Sequence, residues 1–181
     1  MREAGEKSPS VDRSLRIARY KSGKYTIERP LHLGAALAIT DKKSRQQLVN
    51  ILSAYGLPLG EAFQLRDDLL GIFGDPSLTG KPAGDDIREG KRTVLMAMAL
   101  ERASAGAAQE ITQALGRDDL STADIDDVRA LITATGAVKD VEDRIDGLLS
   151  NALTAANSAE INPSARELLT DLATTATKRS H

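Results

Sequence analysis

Two adjacent aspartates in an apolar segment are the residues best suited to chemistry. Asp67 and Asp68 lie within residues 63–73, where most other side chains are apolar, a pattern typical of a buried helix. Burying a carboxylate is costly unless it is paired with a cation or binds a metal. Helix geometry places Gln64 and Gly71 on the same face as the aspartates. Two hard oxygen ligands on one face suit Mg²⁺, which water and substrate phosphates would complete.

The aspartate pair also has a simpler interpretation, which is a salt bridge to Arg66 or to basic residues elsewhere in the chain. The segment that follows favours the metal interpretation. Residues 74–91 contain four glycines, two prolines and the lysines Lys81 and Lys91, a composition typical of a structured loop. Lysine binds phosphate as a point charge, and glycine lets the backbone approach a ligand closely. The combination predicts a site for a metal ion and a diphosphate.

Composition restricts the class of protein. The chain has 181 residues, of which 41% are hydrophobic but only 3% aromatic, so we expect an aliphatic, helical core. The net charge of -2 argues against a nucleic-acid binder, and the absence of cysteine excludes disulfides and thiolate metal ligands. No apolar run approaches the roughly 20 residues of a membrane span, and the N-terminus lacks a secretory signal. A cytoplasmic location is expected.

The predicted fold is all-α. We expect residues 1–10 to be a frayed segment and residues 11–181 to form one domain. Pro30 predicts a break after the first helix, and Pro58 predicts a kink or interruption in a long helix over residues 42–73. The later helices are expected near residues 93–104, 107–116, 122–135, 137–157 and 164–178, with starts at Ser121 and at Asn162-Pro163 for the third and the last of them.

Four stretches together resemble a known family. They are FQLRDDLLGIFGDPSLTGKPAGDDIREGKRT, the upstream RYKSGKYTIERPLHLGAAL, and the downstream GAVKDVEDRIDGLLSNAL and PSARELLTDLA. The chain resembles the C-terminal half of trans-isoprenyl diphosphate synthases, in the geranylgeranyl and farnesyl diphosphate synthase group. The resemblance begins near Val11 and covers almost all of the remaining chain. It implies part of the isoprenoid synthase helical bundle and transfer of an allylic prenyl group onto isopentenyl diphosphate.

The resemblance implies a metal site in the acidic segment. Asp67 and Asp68 would hold Mg²⁺ that bridges to the allylic diphosphate, which matches the interpretation of the residues themselves. Gly71 stands where a full DDxxD motif has its third aspartate, so one metal ligand of that motif is absent. This variant is familiar in bacterial members and does not by itself argue for inactivity.

The resemblance also implies roles for five further residues. Lys21, Lys81 and Lys91 would contact the allylic diphosphate and stabilise it as it leaves. Gln64 would line the pocket near the reacting allyl group. Ser22 stands where the family usually has threonine, and this exchange keeps a hydroxyl. Catalysis and substrate binding are therefore expected to depend on both the lysines and these two polar side chains.

Two of the family's substrate-binding motifs have no counterpart in the sequence. The first aspartate-rich motif and the segment that holds isopentenyl diphosphate are both missing. The other acidic pairs, Asp118-Asp119 and Asp126-Asp127, are interpreted as exposed acids near helix starts. Asp86 is expected to orient Lys91, and His32 is expected to serve packing. Because a two-substrate condensation depends on geometry, we expect the isolated chain not to condense its substrates efficiently.

Several explanations remain for a chain that has only part of the family's substrate-binding site. The chain is a truncated gene product, a subunit that a partner completes, or a retained domain with a binding role. A homo-oligomer or a hetero-subunit is expected in the second case, because uncovered apolar helix faces favour association. A non-catalytic helical interaction module is the alternative from another class. A magnesium-dependent hydrolase or cyclase has less support, because no general base or first acidic motif is visible.

Overall fold

The structure is a computed structural model, and it describes residues 10–80, 82 and 84–178, without the side chains of Leu78 and Thr79. Within these residues the protein is all-α, with no strand, which confirms the predicted fold class. Lys81 and all but the last residue of the predicted frayed segment lie outside this description. The helical elements are α1 (Val11–Ala18), a π-helical segment (Arg19–Glu28), α2 (Arg29–Ala38), α3 (Lys42–Phe73), α4 (Pro76–Thr79), α5 (Asp85–Arg88), α6 (Val94–Arg102), α7 (Ala105–Ala114), α8 (Thr122–Ala134), α9 (Ala137–Ala156) and α10 (Pro163–Thr177).

The described chain divides into two compact units. Unit 1 contains residues 10–15, 67–80, 82 and 84–141, and unit 2 contains residues 16–66 and 142–178. The boundaries fall inside α1, α3 and α9. No helix in the described part of the chain has the length and apolarity needed to cross a membrane.

Unit 1 is built around α6, α7 and α8, which follow each other in sequence and pack together. The start of α8 was predicted at Ser121, and the structure confirms it with a capping box. The Ser121 side chain accepts from the backbone N–H of Asp124, and the Asp124 carboxylate accepts from the backbone N–H of Ser121. The largest fully buried apolar side chains of this unit are Leu69, Ile72, Ile87, Leu95, Met96, Ile111, Ile125 and Ile132.

Unit 2 has its core where α3, α9 and α10 contribute small and aliphatic side chains. Its buried cluster consists of Tyr55, Leu59, Leu149, Ala152, Ala156 and Ala173. The alanines suit close helix packing, because they add apolar surface with little volume. Asn162 caps α10, with its side chain accepting from the Ala165 N–H and Pro163 in the first turn, as the sequence predicted.

The break predicted at Pro30 is wrong. Helical structure continues without interruption from Val11 to Ala38, because the turns before the proline are widened into π-helix. The Arg29 N–H bonds to the Lys24 carbonyl, five residues back, and Pro30 then occupies the first turn of α2, where its missing N–H is tolerated. The helix α3 likewise runs unbroken through Pro58.

Tyr55 gives unit 2 a pH dependence at high pH. Its hydroxyl donates to the Leu169 carbonyl at 2.7 Å, and burial raises its pKa from 10.0 to about 12. Above pH 10 the unfolded chain releases this proton while the folded chain retains it, so stability falls as the pH rises toward 12. We expect the wild type to lose on the order of 2 kcal/mol from this group over that interval. Urea unfolding at pH 8 to 12 should show that Tyr55→Phe, about 1 kcal/mol less stable at pH 8, lacks this loss. Parallel pH profiles for the two proteins would contradict this assignment.

Candidate functional site

The two aspartates lie near the C-terminal end of α3, and their environments differ. Asp68 is buried, whereas Asp67 is exposed. The neighbouring Arg66, one of the partners that the simpler interpretation of the sequence offered, forms its ion pair with another residue. Its guanidinium donates to both carboxylate oxygens of Glu142 at 2.7 and 2.6 Å, and its Nε donates to the Thr177 carbonyl at 2.7 Å. The nearest arginine in sequence is therefore committed to other partners.

A third carboxylate reaches the helix face that carries the aspartate pair. A Cβ added at Gly71 would overlap the Asp86 carboxyl group and would lie 2.8 Å from its Oδ1 atom. Asp86 is itself buried, and it comes from α5 in the glycine-rich segment rather than from α3. The sequence interpretation assigned Asp86 only to Lys91 and missed this contact. No local pattern reports it, because residues 71 and 86 meet through the fold of the intervening segment.

Lys91 is held by two carboxylates of the same segment. Its Nζ lies 2.5 Å from Asp86 Oδ1 and 2.7 Å from Glu89 Oε2, as expected for Asp86. Its backbone N–H also donates to the Asp86 carbonyl at 3.0 Å. Burial alone would lower the pKa of the Lys91 ammonium, but the hydrogen bonds to Asp86 and Glu89 outweigh burial and raise the pKa above its ordinary value. Lys91 is therefore a fixed positive charge throughout the physiological range.

Asp85, Asp86 and Glu89 have carboxylate oxygens within 4.8 Å of one another. The Lys91 ammonium already contacts two of these three groups. Lys91 therefore offsets part of the negative charge of the cluster, which does not by itself indicate a metal site.

The rest of unit 1 fixes the glycine-rich segment in place. Gly84 has a positive φ of 67° and packs so closely on Ile125 that a Cβ would lie 2.6 Å from its Cγ2 atom. The Gly116 N–H donates to the Ile87 carbonyl at 2.9 Å, and Arg88 donates to the Leu120 carbonyl at 3.0 Å. These contacts position Asp86 and Lys91.

In unit 2 the structure brings two predicted site residues together. The buried Ser22 donates from Oγ to Gln64 Oε1 at 2.5 Å. This contact depends on a close crossing of the π-helical segment over α3. A Cβ added at Gly60, one turn before Gln64, would collide with Gly23 Cα and lie 2.6 Å from the Ser22 carbonyl oxygen. Gly60 therefore allows the approach that lets Ser22 orient the Gln64 amide.

The remaining candidates are placed as follows. Lys21 is exposed in the π-helical segment, which is a rare conformation often found at functional sites. Lys81 lies outside the described residues. His32 forms a hydrogen bond of 2.9 Å with Ser53 Oγ. The acidic pairs at 118–119 and 126–127 are exposed, as predicted for acids near helix starts, with Arg117 and Arg129 paired to Asp119 and Asp126 respectively.

Solved structures define the class of fold. The geranylgeranyl pyrophosphate synthase of Corynebacterium glutamicum, complexed with isoprenyl diphosphate and magnesium, superposes with a TM-score of 0.88 at 47% identity. The match covers 95% of this chain and 48% of that one. A polyprenyl synthase from Caulobacter crescentus, complexed with calcium and isoprenyl diphosphate, superposes with a TM-score of 0.78 at 32% identity, over 96% of this chain and 52% of that one. The fold is that of the helical isoprenyl diphosphate synthases.

Sequence comparison then gives the family. The polyprenyl synthetase family model matches residues 1–132, and the chain belongs to this family. The geranylfarnesyl diphosphate synthase of Aeropyrum pernix is 34% identical over 134 residues, which is 72% of this chain and 38% of the relative. The geranylgeranyl diphosphate synthase of Mycobacterium tuberculosis is 31% identical over 159 residues, 88% of this chain and 44% of the relative. The chain thus spans about half the length of its solved relatives, and less than half of these two.

Proposed function

We propose that this chain is the metal- and diphosphate-binding half of a prenyl diphosphate synthase in isoprenoid biosynthesis. The complete site would transfer an allylic prenyl group onto isopentenyl diphosphate. The aspartate pair on α3 carries the proposal, because it offers hard carboxylate oxygens at adjacent positions of one helix and Asp67 is exposed. Family membership supports it, since relatives that share this segment bear the names of such synthases.

The donor set fits Mg²⁺. Asp67 and Asp68 offer hard carboxylate oxygens, and the two would hold the ion between the exposed and the buried position. The bound ion would supply electrostatic stabilisation of the negative charge that develops on the departing diphosphate. The Corynebacterium glutamicum neighbour was solved with both magnesium and isoprenyl diphosphate, which supports the same pairing in this chain.

The chain's lysines and polar side chains would bind the allylic diphosphate and assist its departure. Lys21, Lys81 and Lys91 bind the allylic diphosphate and stabilise it while the bond between the allylic carbon and its oxygen breaks. The electron pair of that bond leaves with the diphosphate, and the isopentenyl double bond attacks the resulting allylic cation. The released diphosphate then accepts a proton from the condensed cation, and this loss restores a double bond. Gln64, held by Ser22, lines the pocket beside the allyl group.

The proposed activity needs residues outside the given 181. The first aspartate-rich motif and the segment that holds isopentenyl diphosphate in the family have no counterpart among these residues, so polypeptide outside them would complete the enzyme. A non-catalytic helical interaction module is the second candidate, and exposed apolar residues such as Tyr25 and Leu37 favour it. The cytoplasmic location stays a prediction.

A reconstitution assay tests the proposal. The segment of the Corynebacterium glutamicum synthase outside the match is coexpressed with this chain, and prenyl product is measured with farnesyl diphosphate, labelled isopentenyl diphosphate and Mg²⁺. We expect no measurable condensation by this chain alone, product from the coexpressed pair, and at least a hundredfold loss with Asp67→Asn/Asp68→Asn. An associated, folded pair that makes no product would contradict the proposal, as would product that is insensitive to the aspartate substitutions.

A further inference from the structure

Position 71 is a glycine on the face of α3 that carries the aspartate pair. Asp67 and Asp68 precede it by four and three residues. Side chains at these spacings are neighbours on a helix, with Cβ atoms about 5–6 Å apart. An acidic side chain at position 71 would therefore join the pair, but Gly71 has no side chain to contribute.

The carboxyl group of Asp86 occupies the space that a side chain at position 71 would need. A Cβ added at Gly71 would overlap this carboxyl group and lie 2.8 Å from its Oδ1 atom. Asp86 is 6% exposed, and its neighbour Ile87 is completely buried. A carboxylate from α5 therefore lies where an acid from α3 would otherwise be, next to the aspartate pair.

Backbone contacts fix the point from which the Asp86 side chain reaches Gly71. The Ile87 N–H donates to the Gly84 carbonyl at 3.0 Å, and the Ile87 carbonyl accepts from the Gly116 N–H at 2.9 Å. The Asp86 carbonyl itself accepts from the Lys91 N–H at 3.0 Å. The meeting of Asp86 with Gly71 is therefore a property of the folded segment, and it does not depend on a freely rotating surface side chain.

The contact with Lys91 is compatible with a second role for the Asp86 carboxylate. Lys91 Nζ lies 2.5 Å from Asp86 Oδ1. A carboxylate has about four acceptor sites, so it can accept from an ammonium and still face a cation or the water bound to one. Lys91 also reduces the repulsion that a third carboxylate would add to the aspartate pair. Buried carboxylates such as Asp68 and Asp86 favour compensation by positive charge, which Mg²⁺ would increase.

We propose that Asp86 supplies a third carboxylate to the magnesium site of Asp67 and Asp68, and that Gly71 is required because it leaves room for this carboxylate. The inference rests on the proposed function, because it concerns the same ion and the same diphosphate. It gives Asp86 a role beyond its contact with Lys91. It also gives a physical reason for the missing side chain at position 71. The adjacent acid Asp85 has no such role.

The test measures how farnesyl diphosphate binding depends on Mg²⁺ concentration, by calorimetry on this chain. Asp86→Asn should raise the Mg²⁺ concentration needed for half-maximal binding at least tenfold, because groups that support a metal site typically change its affinity by 10–100-fold. Asparagine keeps the shape of the side chain, so the variant reports on the charge. The matched control is Asp85→Asn in the same helix, which should leave this Mg²⁺ concentration unchanged. A purely structural role for Asp86 would lower the fraction of chains that bind without changing it.

Exchanging the residues at the two positions tests the role of Gly71. Gly71→Asp adds an acid to α3, but it should weaken binding at least tenfold, because its side chain enters the space that Asp86 occupies. Gly71→Asp/Asp86→Gly clears that space and provides the third acid from α3. The double variant should therefore recover most of the lost affinity. Circular dichroism and urea unfolding establish that each variant is folded before binding is compared.

Several results would overturn the inference. They are an Asp86→Asn variant that binds as the wild type does, an Asp85→Asn variant that loses as much affinity as Asp86→Asn, and a Gly71→Asp variant that binds more tightly than the wild type. Binding that depends on Asp67 and Asp68 but not on Asp86 contradicts this inference alone. A folded wild type that binds no diphosphate at any Mg²⁺ concentration contradicts the proposed function, and this inference with it.

Discussion

Replacing Gly60 by alanine should destabilise the protein by about 3 kcal/mol and separate Ser22 from Gln64. The new methyl group would collide with Gly23 Cα and lie 2.6 Å from the Ser22 carbonyl oxygen. Both obstacles are backbone atoms, which cannot rotate away as a flexible side chain can. The π-helical segment must therefore move off α3, and the 2.5 Å hydrogen bond between Ser22 and Gln64 should break. Urea unfolding measures the first effect.

The control for this experiment is Gly147→Ala. Gly147 lies inside α9 of the same unit, and a Cβ added there would meet nothing within 4 Å. Because alanine has the higher helix propensity, this variant should be about 0.5–1 kcal/mol more stable than the wild type. If Gly60→Ala is as stable as Gly147→Ala, the close crossing of the π-helical segment and α3 is wrong.

Replacing Arg66 by methionine should cost about 3–5 kcal/mol of folding free energy. Arg66 is 8% exposed, and its guanidinium forms a two-pronged ion pair with Glu142 as well as a hydrogen bond to the Thr177 carbonyl. The substitution leaves the Glu142 carboxylate without its partner in a partly buried position and removes the donor from the end of α10. Methionine retains much of the side-chain volume, so the loss reports mainly on the charge.

Two further variants measure the contribution of the Arg66–Glu142 ion pair to stability. Arg66→Met/Glu142→Met removes both charges and should recover a substantial part of the loss, since the uncompensated carboxylate is gone. Arg117→Met breaks the exposed pair with Asp119 and should leave stability almost unchanged, because solvent screens this pair. If urea unfolding shows the same small loss of stability for Arg66→Met and Arg117→Met, the stabilising role assigned to the Arg66–Glu142 ion pair is wrong.

The helices could be predicted because their signals are local. Ser121 and Asn162 cap α8 and α10 where the sequence placed their starts. The π-helical segment could not be predicted in the same way. Its wider turns carry Ser22 and Gly23 into close contact with Gly60, and that contact joins parts of the chain far apart in sequence. The sequence therefore predicted a break at Pro30, where the structure continues the helix.

The same difference between local signals and long-range contacts applies to the candidate site. The helix spacing of Gln64, Asp67 and Asp68 follows from three- and four-residue steps that the sequence displays. The pairing of Arg66 with Glu142 could not be predicted in this way, because the two residues are 76 positions apart in the chain. The contact of Asp86 with Gly71 depends in turn on the path of the glycine-rich segment. Local patterns predict the candidate chemical groups, and long-range contacts decide which partners those groups have.

Calorimetric titration with farnesyl diphosphate, with and without Mg²⁺, tests the central claim most directly. The comparison is between the wild type, Asp67→Asn/Asp68→Asn, and the matched control Asp126→Asn/Asp127→Asn, which alters an exposed aspartate pair on α8. We predict that binding requires Mg²⁺. The affinity should fall at least tenfold in Asp67→Asn/Asp68→Asn and should be unchanged in Asp126→Asn/Asp127→Asn. Absence of binding by the folded wild type, or equal binding by all three proteins, would contradict the central claim.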